Sequence, residues 1–288
     1  MAAADMPGRS GLSTAVRYGI VAAFLVFMIV PLVATALFSV SVRWDRTLWP
    51  EGYTLDWWIK VTSKRAFRAV FCNSLAVSAA TVAASLLLVA PAAYLVHSRL
   101  PRFKPVMEIL AVLPFGFPAV VLALGLLRIY AGIGFPLFGT TTLLVAAYVV
   151  VTLPFMYRPT MNALEAIDIR VLSEAAQSLG AGDLRIFLTV IVPNIRHGLV
   201  NGSLLVFSAA FAEFALANLL VGTRFKTFPI YLVEFTRFDA RQASALALIS
   251  FVCAWAISLV LLSRSGGKRM RARPGATPKP NHHHPHEG

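Results

Sequence analysis

Residues 20–40 run without a single charge, and five further apolar stretches follow at 69–96, 106–131, 141–155, 199–221 and 243–262. About 20 apolar residues let a helix cross the hydrocarbon core of a bilayer. In lipid every backbone N–H and C=O must be satisfied within the protein, so a chain built this way spans as helices. The expected architecture is all-α, a polytopic bundle of about six transmembrane helices. Composition agrees: 58% of residues are hydrophobic and only 14% charged, with mean hydropathy +0.72. A soluble domain sits near half apolar and a quarter charged, so a soluble enzyme is excluded, as is a disordered chain. Net charge is +13. The cations flank the apolar stretches, which accounts for them without a nucleic-acid partner. Cys72 and Cys253 both lie inside apolar stretches, so neither a disulfide framework nor a zinc cluster is expected.

The first stretch has signal-peptide traits, Arg17 before it and a small-x-small site within Val33-Ala34-Thr35-Ala36, but it is too long for the apolar region of a cleaved leader. Six spans place both termini on one side. With the N-terminus cytoplasmic, inner segments hold 15 Lys and Arg and outer segments hold 10, with Arg128 left over near the outer end of the third span. The positive-inside rule therefore favours both termini in the cytoplasm. Trp44, Trp49, Trp57 and Trp58 fall in the first outer loop, where indole rings are expected at headgroup level, or against a soluble partner. Pro114, Gly116 and Pro118 break the third span, as a fixed kink or as a hinge. Glu108 and Arg128, near its two ends, are expected to snorkel.

The long polar segment 159–193 joins the fourth and fifth spans. Asp168 is placed to cap a helix, and Leu172, Ala175, Ala176 and Leu179 recur at the spacing of one helical face. Gly180 is positioned to end that helix in the left-handed region. Asp183 is expected to cap a second helix over 184–192, which Pro193 interrupts. Two alanines make the apolar face shallow, open either to another protein or to the chain's own bundle.

Glu174-Ala175-Ala176, three residues, Gly180, nine residues, then Val190-Ile191-Val192-Pro193 resembles the EAA signature of ABC importer permeases, E-A-A-x3-G-x9-I-x-L-P. Val190 and Val192 replace the family's isoleucine and leucine. The resemblance covers roughly residues 69–262. It implies a type I importer fold with a first helix and outer loop at 1–68, a permease core at 69–263 and a basic, His-rich tail at 264–288. It also implies that the chain catalyses nothing and carries no cofactor. Its partners would be cytoplasmic ATPase subunits, a second permease, a periplasmic solute-binding protein and membrane lipids. Glu174, Ala175, Ala176, Gly180 and Pro193 would belong to the coupling helix that meets the ATPase.

Glu213, deep in the fifth span, and Asn218 are pathway candidates, because ionisable groups inside a bilayer are functional by default. The alternative for Glu213 is a satisfied structural carboxylate. Residues 224–231 resemble a re-entrant-like segment of the spermidine/putrescine, phosphonate and ferric-iron branch, so 2-aminoethylphosphonate or a polyamine is the expected cargo. No phosphate loop of the Gly-Lys-Ser/Thr kind is present. His97 and His197 border the membrane without a nucleophile, and the tail histidines are expected to be disordered rather than metal-bound. An ion-gradient transporter or a membrane scaffold are the rivals. The first predicts several midplane charges, and the second gives the Glu174-to-Pro193 spacing no role.

Overall fold

A computed structural model describes residues 14–132 and 139–265; the basic and histidine-rich tail from Lys268 onward lies outside them. Among the described residues the chain is helical, and its only strand-like feature is one antiparallel bridge between Ser41 and Tyr53. Helix α1 (Thr14–Val40) is apolar on all sides and leaves Phe24, Phe27 and Ile29 exposed, as expected of a lipid-facing helix. It runs uninterrupted through Val33–Ala36 and packs on α12 (Ala240–Ser265).

The core is a three-helix stack of α3 (Arg65–Ser98), α6 (Thr141–Glu165) and α9 (Val192–Ala212). At about 1.5 Å per residue, the 34 residues of α3 exceed the thickness of the hydrocarbon, so its ends project beyond it. Gly198 and Gly202 bring α9 against α6. A Cβ on Gly198 would fall 2.5 Å from the Pro159 carbonyl oxygen, and one on Gly202 2.9 Å from Met156 Sδ.

Among the described residues five helices are long and apolar enough to cross a membrane, six if one bent pair counts as a span. The third span is not one kinked rod. Its first half, with α4 (Lys104–Val112), meets α5 (Ala119–Gly132) at 98°. Pro114 lies in a 3₁₀ turn and Pro118 precedes α5, so two missing N–H groups within five residues prevent helix continuation. Glu108 and Arg128 consequently lie on different rods. Glu108 lines an apolar cleft with Arg158.

The fifth span also departs from expectation. Helix α9 stops at Ala212, Glu213 is extended, and a short helix α10 (Ala215–Leu220) restarts the path. The chain then folds back through α11 (Phe228–Thr236) over one end of α3. There Asn73 Nδ2 donates to the Lys226 carbonyl (2.9 Å), and the Phe228 N–H donates to Ser74 Oγ (2.7 Å). Phe71, Phe211 and Phe228 pack ring against ring beneath this fold-back. Removing the hydroxyl in Ser74→Ala strands a buried N–H. We expect a cost of about 1–3 kcal/mol, read as earlier unfolding in detergent and faster amide exchange at Phe228.

Two of the four loop tryptophans find partners within the fold. Trp57, in α2 (Asp56–Thr62), donates its indole N–H to the Ser41 carbonyl (2.9 Å), and Trp58 donates to Ser39 Oγ (3.3 Å). Arg241 stacks on Trp57 and also donates to the Val42 carbonyl. The indoles therefore tie the end of α1 to α2 and α12. Trp49 remains largely exposed.

Candidate functional site: a docking helix at one end of the bundle

The polar segment after α6 forms the amphipathic helix α7 (Ile169–Ser178), and both ends are sealed by the residues the sequence marks. Asp168 Oδ1 accepts from the Val171 N–H at 3.1 Å. At the other end the Gly180 N–H donates to the Gln177 carbonyl (2.8 Å) and the Ala181 N–H to the Ala176 carbonyl (3.1 Å), with Gly180 at φ +78°. That pair of bonds is a Schellman closure, and only glycine takes the required conformation without strain. The helix end is fixed, so the direction in which α7 projects is fixed as well.

The apolar face divides in a way the periodicity alone does not reveal. Ile169 is buried, and Ala176 and Ala181 pack on the α3–α6–α9 core, turning that side inward. Ala175 is exposed together with Val171 and Leu179, the latter 88% accessible. Leu184 (72%) and Leu188 (54%), past the turn, are exposed as well. Contiguous exposed apolar side chains rimmed by polar ones mark an interaction surface. Glu174 stands at the rim, its carboxylate 2.8 Å from Arg170 Nε one turn earlier. The Glu174 hydrogen bond holds the Arg170 guanidinium above its ordinary pKa.

Two expectations change beyond the turn. Asp183 does not cap the next helix. Gly182 takes the cap position, and Asp183 is the first residue of α8 (Asp183–Ile186), where its carboxylate receives Arg99 from the end of α3. Pro193 does not interrupt the helix. Residues Phe187–Ile191 widen into a π turn, in which the Val192 N–H reaches back to the Phe187 carbonyl, and Pro193 passes in the first turn of α9. A wider turn makes room for a ring that would otherwise press on the carbonyl four residues earlier.

Glu213 occupies the break between α9 and α10. Its carboxylate accepts from the N–H groups of Leu216 (2.9 Å) and Ala217 (3.2 Å), and its carbonyl accepts from the Tyr148 hydroxyl (3.3 Å). Those bonds give the carboxylate a structural task at the start of α10. Asn218 is exposed one turn further on. The docking helix and these two residues lie at separate places along the bundle, the first after α6 and the others beyond the far end of α9.

Sequence reading missed a polar stripe on α9. Asn194, Asn201 and Ser208 share its exposed side, and Asn162 of α6 joins Asn201 along a groove of about 620 Å³ beside Gly198. Polar side chains recurring at helical spacing along a membrane-length helix were the available signal. Among the described residues no cluster of three or more His, Cys, Asp or Glu could hold a metal.

A helical bundle with five or six membrane-length elements and a rigid amphipathic helix standing off one end is a multi-pass membrane subunit made to engage another protein. Residues 87–272, more than half of the chain, match the family described as binding-protein-dependent transport system inner membrane component, and the chain belongs to that family: it is an ABC importer permease of the inner membrane. Membership implies an ATPase and a binding protein as partners.

The spermidine/putrescine transport system permease protein PotB of Haemophilus influenzae is 29% identical over 174 residues, 55% of this chain and 60% of that protein. Its Escherichia coli counterpart is 25% identical over 220 residues, 71% and 79% of the two chains. The sulfate transport system permease protein CysW of Synechocystis is 35% identical over 119 residues, 40% of this chain and 42% of the relative. Among solved structures, a bacterial ABC transporter involved in alginate import superposes with TM-score 0.71 at 18% identity, covering 90% of this chain and 99% of its own. The MetNI methionine transporter gives 0.54 at 17%, covering 70% and 95%. These two establish the type I importer fold. The aminoethylphosphonate expectation gains no support from these relatives.

Proposed function

We propose that the chain forms part of the membrane path of an ATP-driven importer, and that α7 is the surface on which a separate cytoplasmic ATPase acts. The observation carrying this is the exposed apolar face of Val171, Ala175 and Leu179, four residues apart along a helix sealed at both ends. A flexible loop would absorb a push; a capped helix rooted in the core by Ile169 and Ala176 passes it on. In this arrangement Ala175 and Ala176 allow close approach, Glu174 supplies a rim contact, Gly180 sets the direction, and Pro193 fixes the π turn into α9. The α7 end of the bundle then faces the cytoplasm together with both termini, and the binding protein delivers solute to the opposite face.

The second permease, a copy of this chain or a relative of it, covers the α9 stripe. Asn162, Asn194, Asn201 and Ser208 form one wall of the path between the two. Glu213 serves the path by holding the α9–α10 break open, and Asn218 lines it beyond the break. The cargo is a polyamine, a reading supported by PotB relatives matching as much as 76% of the chain. The amides and hydroxyls of the wall can accept from ammonium groups without trapping them as carboxylates would. Cells carrying the transporter with its ATPase should accumulate labelled spermidine, and an ATPase variant unable to hydrolyse ATP should not. Accumulation that survives that variant and collapses with the proton gradient would establish a secondary transporter instead. ATP-driven uptake of another solute, with spermidine neither carried nor competing, would remove the polyamine assignment alone.

A further inference from the structure

The two roots of the α7 segment are held by one short connector. Helix α3 ends at Ser98, and α4 begins at Lys104 after a 3₁₀ turn, Pro101–Phe103. At the start of this connector Arg99 binds the carboxylate of Asp183, the first residue after the Gly180 turn to re-enter helix. At its end Lys104 Nζ lies 2.6 Å from Oε1 of Glu165, the last residue of α6 before α7. The acids therefore flank α7 on both sides, and both cations belong to the same six residues. Between connector and α7 lies a polar cleft of about 880 Å³ whose lining includes His97, Ser98, Ser173 and Gln177. That space separates much of α7's inner side from the end of α3, so the two ion pairs bridge what packing leaves open.

We propose that the 99–104 connector is a charged bracket that carries a displacement of α7 to α3 and to the bent α4–α5 span, with Arg99, Lys104, Glu165 and Asp183 as positioning residues. Solvent-exposed ion pairs add little to stability, so holding the fold together does not explain two of them placed symmetrically about one helix. Fold stability rests instead on Ile169, Ala176, Ala181 and the Tyr94–Phe187 ring contact at 5.0 Å. Lys104 heads the only span with a near-right-angle bend among the described residues. A pull on Glu165 reaches that bend through a single short helix. This inference rests on the proposed coupling role of α7 and adds the route the motion takes.

The test uses the whole transporter with its ATPase and binding protein. Arg99→Glu, Asp183→Arg, Lys104→Glu and Glu165→Lys are compared with the swaps Arg99→Glu/Asp183→Arg and Lys104→Glu/Glu165→Lys, and with the neutral Arg99→Gln. Solute moved per ATP hydrolysed is the readout, with the membrane level of each variant as a control. Each single reversal should lower that ratio roughly fivefold while ATP is still hydrolysed, and each swap should restore it to within about twofold. Arg99→Gln should fall between native and reversal. Unchanged ratios in the single variants would overturn the bracket while leaving the docking role of α7 standing. Uptake, hydrolysis and membrane level falling together without rescue by the swaps would show a structural role and overturn it as well. A native transporter without ATP-driven uptake would overturn both.

Discussion

An Ala175→Trp variant is expected to reach the membrane and fold as the native chain does, yet lose solute uptake by about thirtyfold or more. Ala175 is exposed, and its neighbours Val171 and Leu179 are exposed beside it, so an indole there lies on the surface and does not enter the core. It does fill the shallow face that a partner must approach. The helix itself tolerates the change, since Asp168 and the Gly180 closure remain in place. Uptake and co-purification of the ATPase should therefore fall together, with native thermal unfolding. Ala176→Trp provides the contrast: Ala176 packs on the core, so that change should damage the fold first. Equal uptake in Ala175→Trp and native protein would leave the exposed face without a function.

The second large effect is expected at the α6–α9 crossing. Gly-to-Ala in a helix interior normally favours folding by about 1 kcal/mol or less. At Gly198 the sign reverses, because the new Cβ would lie 2.4 Å from Ala163 Cβ and 2.5 Å from the Pro159 carbonyl oxygen, which is backbone and cannot swing aside. Overpacking a close contact costs about 1–3 kcal/mol, and a leucine adds a full side chain to it. Gly198→Ala should lower the unfolding temperature in detergent, and Gly198→Leu should leave little folded protein in the membrane. Gly125→Ala in α5, whose added Cβ meets nothing within 4 Å, should be harmless. Equal stability in the two alanine variants would show that the helices can part at no cost.

What was legible in the sequence was local. Charge-free runs gave most of the spans, because a bilayer imposes its length on each helix separately. Asp168 and Gly180 announced the ends of α7, because capping bonds join residues two to five apart. What remained hidden depends on distant neighbours. Asp183 could cap its own helix or receive Arg99 from 84 residues away, and only the fold decides. The partners of Trp57, Ser41 and Arg241, lie 16 and 184 residues away, so its place in the fold was not readable locally. Pro193 reads as an interruption, and the widened turn before it depends on the backbone around it. Glu213 has the composition of a midplane charge, yet the break beside it supplies two N–H donors that no hydropathy count foresees.

A photo-activated cross-linker placed at Leu179, the 88% exposed side chain at the end of α7, tests the mechanical account most directly. In membranes holding the complete transporter, it should join this chain to the nucleotide-hydrolysing subunit, with a yield that changes when ATP is bound. Adducts formed only with the periplasmic binding protein or with lipid, at equal yield with and without nucleotide, would contradict it.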